Sequence, residues 1–417
     1  MRNVTSPRLL LFAGAALMAA VACTTGVAQP AENPDGPVSF PTAVVEAAST
    51  PNGDGVGPKK PAGRPPALDT SVASVGLDEV LFDTFQSGAI ALSAATQGDI
   101  DRLRDAIVPV YEPRYDGPEG GNWLDDDDIV LGYQSDSGAY AYPVKMLNLH
   151  EIVNDVIDGV PVLISYCPLC ASGVVYSRLL GDRELVFGNT SALCESDLIM
   201  FDGETGSYWH QVIGEAIVGP LAGQRLTVLP SRMTTWSQWK TLHPQTWVLG
   251  KNLNLLRGGG LIGGNPYGRD PFVGCDERVN SGGFAFPVSP SKLDGRLRPG
   301  ESVLAVEVDG VHVAFPLSQD ESLTINTEAS GRAIAAFTEP TTPGVAAFFV
   351  SVDGRTLKFE VGDDGAIHDN ETASLWDAAG RATAGALAGS ALEPVPSRTR
   401  FWFSVVGAVP DIELRIP

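Results

Sequence analysis

The sequence predicts a mostly β protein with minor α structure (α+β), built as two tandem, internally duplicated β-rich domains. Three observations predict it. Motifs from Ala141 onward recur in the same order at an offset of about 170 residues. Short runs rich in branched and aromatic residues alternate with glycine-containing turns. Matching turn pairs, Gly181-Asp182 and Asp353-Gly354, fall at matching places in the two halves.

The recurrence is specific. Ala141-Tyr142-Pro143 is answered by Ala314-Phe315-Pro316, and Glu204-Thr205-Gly206-Ser207-Tyr208-Trp209 by Glu371-Thr372-Ala373-Ser374-Leu375-Trp376. Gly219-Pro220-Leu221-Ala222-Gly223, Pro230-Ser231-Arg232 and Trp236 are answered by Gly385-Ala386-Leu387-Ala388-Gly389, Pro396-Ser397-Arg398 and Trp402. Positions shared by both copies serve a common fold. Positions reactive in one copy only are the candidates for function, and the cysteine and histidine chemistry sits in the first.

The N-terminus reads as an export signal. Arg2 and Arg8 precede an apolar run from Leu9 to Ala22, too short to span a bilayer comfortably. The run ends Ala20-Val21-Ala22-Cys23, which resembles a bacterial lipobox, so residues 1–23 are expected to be a lipoprotein signal peptide with Cys23 as the lipidated residue. An ordinary signal peptide is the alternative. The expected location is the outer face of the cell membrane or the periplasm, with the lipid as the only membrane contact.

Residues 24–77 are rich in Ala, Pro, Gly, Ser and Thr and poor in large apolar residues, which predicts a disordered tether. Residues 78–124 are expected to be a helical segment: Val80, Leu81 and Phe85, then Ile100, Leu103 and Ile107, recur with helical spacing, and Asp99 is a candidate cap. The first repeat is placed at 125–252, a Gly-rich connecting excursion at 253–298, and a second, degenerate repeat at 299–417. Strands are predicted over 129–133, 160–166, 173–179 and 184–187, and again over 303–308, 333–337, 346–352 and 356–360. Helices are predicted over 144–156 and 235–243.

The net charge of −22 argues against nucleic acid and against anionic lipid as a direct partner. Asp125-Asp126-Asp127-Asp128 lacks EF-hand spacing and reads as a solvated loop. Arg257-Gly258-Gly259-Gly260 lacks the lysine and the strand–helix frame of a phosphate loop, so no nucleotide cofactor is expected. Whether a small molecule or a protein is a partner is left open by the sequence.

The chemistry concentrates at Cys167-Pro168-Leu169-Cys170. Two thiols at this spacing can chelate one metal or form a strained, reducible disulfide. His150 supplies an imidazole, giving the soft set His150, Cys167 and Cys170, suited to copper or zinc. Glu151, Asn154, Met200, His210 and Gln211 are possible additional or supporting ligands. Asn154 is expected one helical turn from His150, and His210 is expected to face solvent. Cys194 and Cys275 suit a structural disulfide in an oxidising compartment, with Cys194 as a third thiol ligand the competing idea.

Three functions stay open. The first is an extracytoplasmic metal-binding protein, enzymatic if a coordination position is open. The second is a thiol–disulfide oxidoreductase using the same cysteine pair, although a β-rich run follows where a thioredoxin-type site wants a helix. The third is a non-catalytic envelope binding module with Trp209, Trp236 and Trp239 as an aromatic platform.

Several linked motifs resemble a bacterial family catalogued as domain of unknown function 3179. They are His150-Glu151-Ile152-Val153-Asn154-Asp155, Ser165-Tyr166-Cys167-Pro168-Leu169-Cys170, the run Ser196 to Asp202, Ser207-Tyr208-Trp209-His210-Gln211, Thr234-Thr235-Trp236, His243-Pro244-Gln245-Thr246 and Tyr267-Gly268-Arg269-Asp270-Pro271. The resemblance spans Asp125 to Leu317. It implies an exported or membrane-attached bacterial protein and no particular activity. It also implies that cysteine is unusual at 194 and 275, which favours a local disulfide, and that serine is usual at 210, which lowers the standing of His210 as a ligand.

Overall fold

The computed structural model describes residues 57–61, 63–85, 88–251, 267–317, 323–338 and 345–416. The expected signal peptide, Cys23, most of the tether and the Arg257–Gly260 run lie outside the described residues. The fold is mostly β with five short helices, none longer than seven residues, among the described residues. No described helix is long and apolar enough to cross a membrane.

Two sheets frame the site. An eight-stranded sheet runs in the order Glu413–Leu414, Val311–Pro316, Ser302–Val308, Ser397–Phe401, Ser172–Ser177, Val160–Cys167, Ile152–Ile157, with Val228–Leu229 alongside Ser172–Ser177. Strands of both predicted repeats therefore share one sheet, joined where Thr399 pairs with Gly173. A six-stranded sheet runs Glu215–Val218, Tyr208–His210, Asp197–Asp202, Phe187–Cys194, Leu81–Asp83, Ala89–Ala91. Leu163, Val174, Met200, Trp209 and Phe401 pack with both cysteines of the Cys167–Cys170 turn in one apolar cluster. Trp209 is fully buried; truncating such a side chain typically costs about 3–5 kcal/mol.

A hydrogen-bond set recurs between the halves. Trp209 Nε1 donates to Asp202 Oδ2 at 2.8 Å, and Trp376 Nε1 to Asp369 Oδ2 at 3.0 Å. Thr205 and Thr372 bond the same aspartates, and each meets the following serine, Ser207 or Ser374. Gly219 and Gly385, both at positive φ, lie so close to those serines that a Cβ would come within 2.8 Å and 2.6 Å of their Cα atoms. Asn154 brackets the backbone of Phe187 through its Oδ1 and Nδ2, and Asn326 brackets Phe359 in the same way. The predicted turns at Gly181-Asp182 and Asp353-Gly354 close hairpins Leu179–Leu180 with Arg183–Glu184, and Ser351–Val352 with Arg355–Thr356. The predicted helix over 235–243 forms as Trp236–Leu242, capped by Thr235.

Four expectations are corrected. Residues 78–124 are not a helical segment: Leu81–Asp83 and Ala89–Ala91 form a hairpin on the six-stranded sheet, and the α-helix is confined to Gln97–Leu103. Val80 and Phe82 alternate inward from a strand, which a short window of apolar residues does not distinguish from a helix turn. Thr96, not Asp99, caps that helix; Asp99 completes the capping box from the N3 position. The tether does not run to 77, because Lys60 pairs with Asp105, Pro66 O accepts from Arg104, and Ser74 N donates to Ile217 O. The helix over 144–156 stops at His150, where Glu151 turns left-handed (φ 57°) and the strand Ile152–Ile157 begins.

Candidate metal centre

Cys167 and Cys170 bracket the turn between two neighbouring strands of the eight-stranded sheet, with Cys167 paired to Ser172. Ala171 sits at φ 48°, a left-handed conformation that an alanine adopts only at a cost. From the second half, Phe401 N donates to Cys170 O at 3.0 Å, fixing the turn from behind.

Asp197 arrives from the six-stranded sheet. Cys194 pairs with Asp197 across a two-residue turn, Glu195-Ser196, whose φ values are 50° and 62°. This is the primed hairpin geometry that Asn-Gly ordinarily fills, so two side-chain-bearing residues store strain of about 1–3 kcal/mol each. Ser289 N and Oγ donate to the Glu195 carboxylate at 2.7 and 2.8 Å, so the connecting excursion clamps this turn.

The two thiol sulfurs and an Asp197 carboxylate oxygen lie within 4.8 Å of one another. All three side chains are buried, at 1%, 0% and 1% exposure. Cys170 Sγ donates to Asp197 Oδ1 at 2.8 Å, and Val212 N donates to Asp197 Oδ2 at 3.0 Å. His210 Nδ1 stands 3.0 Å from the same Oδ2, near enough for a charge pair but off the axis of a hydrogen bond. Ser172 Oγ lies 3.3 Å from Cys170 Sγ and donates to Gln211 Oε1 at 2.7 Å.

Burial sets the thiol chemistry. It pushes Cys170 well above the ordinary thiol range, and neighbouring Cys167 and the Asp197 carboxylate push it further. Burial raises Cys167 as well. Burial alone would also raise Asp197, but the His210 imidazole, the Cys170 thiol and the Val212 amide outweigh it and hold the carboxyl below its usual range. The centre is thus two protonated thiols facing a carboxylate.

The predicted residues divide accordingly. Cys167 and Cys170 come together, and Asp197 joins them. His150 does not. Its Nδ1 meets Val108 O and its Nε2 meets Tyr267 Oη, each at 2.8 Å, so both ring nitrogens are engaged elsewhere. Asn154 is not a ligand beside His150 on a helix; it lies on a strand, absorbed by the Phe187 backbone. Glu151 is buried and pushed up to about 8 by that burial, against a 2.6 Å hydrogen bond from Asn189. Met200 packs in the cluster that holds both cysteines. His210 is buried rather than solvent-facing, and Gln211 supports Cys170 through Ser172.

Cys194 and Cys275 do not form the expected disulfide. Cys194 packs with Phe82, Ile199 and Tyr208, whereas Cys275 packs with Cys167 and Cys170, its Sγ 3.2 Å from Arg278 Nη2. Those different surroundings also remove Cys194 from the ligand set. Trp209, Trp236 and Trp239 are buried and form no surface platform. Asp128 is taken by Lys145 at 2.6 Å, in keeping with a solvated loop rather than a calcium site.

Asp197 is not legible from the sequence as part of this cluster, because a lone aspartate 27 residues beyond Cys170 carries no spacing signal. Its one trace was the run Ser196 to Asp202 among the motifs of the family resemblance.

The fold and site define a mostly β protein with a buried dithiol–carboxylate cluster where two sheets meet. A family model described as "Protein of unknown function (DUF3179)" matches residues 104–411, and the chain belongs to that family. No curated protein and no solved structure matches the chain.

Proposed function

We propose that this chain is an exported, lipid-anchored protein that binds a transition metal through Cys167 Sγ, Cys170 Sγ and an Asp197 carboxylate oxygen. The observation that carries the reading is the convergence of these three buried donors within 4.8 Å. The donor set fits a metal chemically: a cation would replace the two thiol protons that burial otherwise retains, and would offset the carboxylate charge. Two sulfurs and one oxygen suit zinc better than Cu(I), which prefers an all-soft set. Three protein ligands leave a position open, and a zinc ion there would supply Lewis-acid polarisation of a bound group.

The chain's own residues do the positioning. Val212 N and His210 orient Asp197, and Ser172 with Gln211 holds the Cys170 side of the turn. The oxidoreductase reading loses support because both thiols are buried and pushed toward the protonated form, the reverse of an attacking thiolate. The test is elemental analysis of protein purified without an affinity tag. One equivalent of zinc in the wild type, absent from a Cys167→Ser/Cys170→Ser variant of unchanged fold, is the expected result; equal metal in both removes the reading.

A further inference from the structure

A second polar cluster lies where strands of the two halves meet, its lining free of the three proposed metal ligands. Arg225 from the first half and Glu307, His312, Arg398 and Arg400 from the second are among the residues lining a cavity of about 20 Å³. A space of this size holds one particle of the dimensions of a water or a halide.

Its charge is out of balance. Three guanidinium groups face a single lining carboxylate, in a chain whose net charge is −22. Glu307 does not satisfy them at hydrogen-bond distance. Its oxygens lie 3.7 Å from Arg225 Nη1, 3.7 Å from Arg398 Nη1 and 3.9 Å from His312 Nδ1. Arg225 turns partly outward to Glu215 at 2.9 Å.

Arg398 and Arg400 are 4% and 1% exposed, and the Nε of each is buried without a hydrogen-bond partner. A buried donor left unpaired is destabilising, and more so when the group is charged. Arg400 spends one Nη1 contact on Val212 O at 3.3 Å, and the Asp197 carboxylate offsets part of its charge from farther away. Burial, with Arg398 beside it, lowers Arg400 to about 10. Two buried arginines whose Nε donors have no partner therefore line one small space between the halves.

We propose that this cavity binds a single monatomic anion, a halide of the chloride class, held by Arg398 and Arg400 and completed by Arg225 and His312. The anion supplies the acceptor that both Nε groups lack, offsets the excess of guanidinium charge and ties the first half to the second. None of the three proposed metal ligands lines the cavity, and the halide test reads no metal, although Arg400 touches Val212, whose N–H holds Asp197.

The test is a titration of the full chain with sodium chloride or bromide against sodium gluconate at equal ionic strength, which holds general screening constant. A saturable rise in Tm is expected, roughly 2 °C at tenfold excess over half-saturation. Arg398→Gln abolishes that halide dependence. Should this variant not fold, bromide-soaked crystals of the wild type decide the matter through the anomalous map. A bromide peak in contact with both Nε atoms supports the site. Identical Tm in halide and gluconate, with water alone at the position, overturns it.

Discussion

Cys170 Sγ and Asp197 Oδ1 lie 2.8 Å apart, although 27 residues and a change of sheet separate them. The contact brings a turn of one sheet against the first residue of a strand in another. Both sides of it are held by left-handed, non-glycine residues: Ala171 next to the cysteine, Glu195 and Ser196 before the aspartate. Strain retained at such a junction implies that the surrounding packing over-determines it.

The ligand assignment makes a pair of opposed predictions. Asp197→Asn removes a charged oxygen donor and weakens zinc binding by about tenfold or more. His150→Gln leaves the zinc stoichiometry intact, because that imidazole bonds Val108 O and Tyr267 Oη instead. Competition with a chromophoric chelator on both variants measures the difference.

Thiol reactivity follows from burial. In metal-free folded protein, Cys167 and Cys170 should react with iodoacetamide at pH 8 at least about a hundredfold more slowly than in denaturant. Mass spectrometry of the quenched peptides reads the rates. Comparable rates in the two states would show that the thiols are accessible.

Glu151 predicts a pH dependence. Its folded value, raised to about 8 mainly by burial, lies above the ordinary 4.5. Below pH 4.5 both states are protonated. As pH rises toward 8, the unfolded chain releases the proton and the folded chain retains it, so stability falls across that window and then levels. The loss is on the order of a few kcal/mol. Denaturant unfolding at pH 5 and pH 8 should show this loss in the wild type and much less of it in Glu151→Gln.

The recurring Asp–Trp contacts predict matched losses in the two halves. Asp202→Ala and Asp369→Ala each leave a buried indole N–H and a threonine hydroxyl without their acceptor. Each should cost about 1–3 kcal/mol. Thermal unfolding of the two variants checks it.

How much of this was legible follows from the range of each signal. Strand runs such as Val160–Cys167 and the turn at Asp353-Gly354 are written in contiguous residues, so pattern alone locates them. The cysteine pair was equally plain. Asp197 was not, because its role depends on a turn that delivers it to another sheet. His150 was overvalued because a helix assumed to reach Val156 placed Asn154 beside it. The helix ends at His150, and Asn154 serves the scaffold, as Asn326 does in the second half.

X-ray absorption at the zinc edge of the purified full chain tests the centre most directly. Two sulfur scatterers near about 2.3 Å with lighter oxygen or nitrogen scatterers near about 2.0–2.2 Å are predicted, with the sulfur shell lost in Cys167→Ser/Cys170→Ser. Bound zinc with no sulfur in its shell would contradict the assignment.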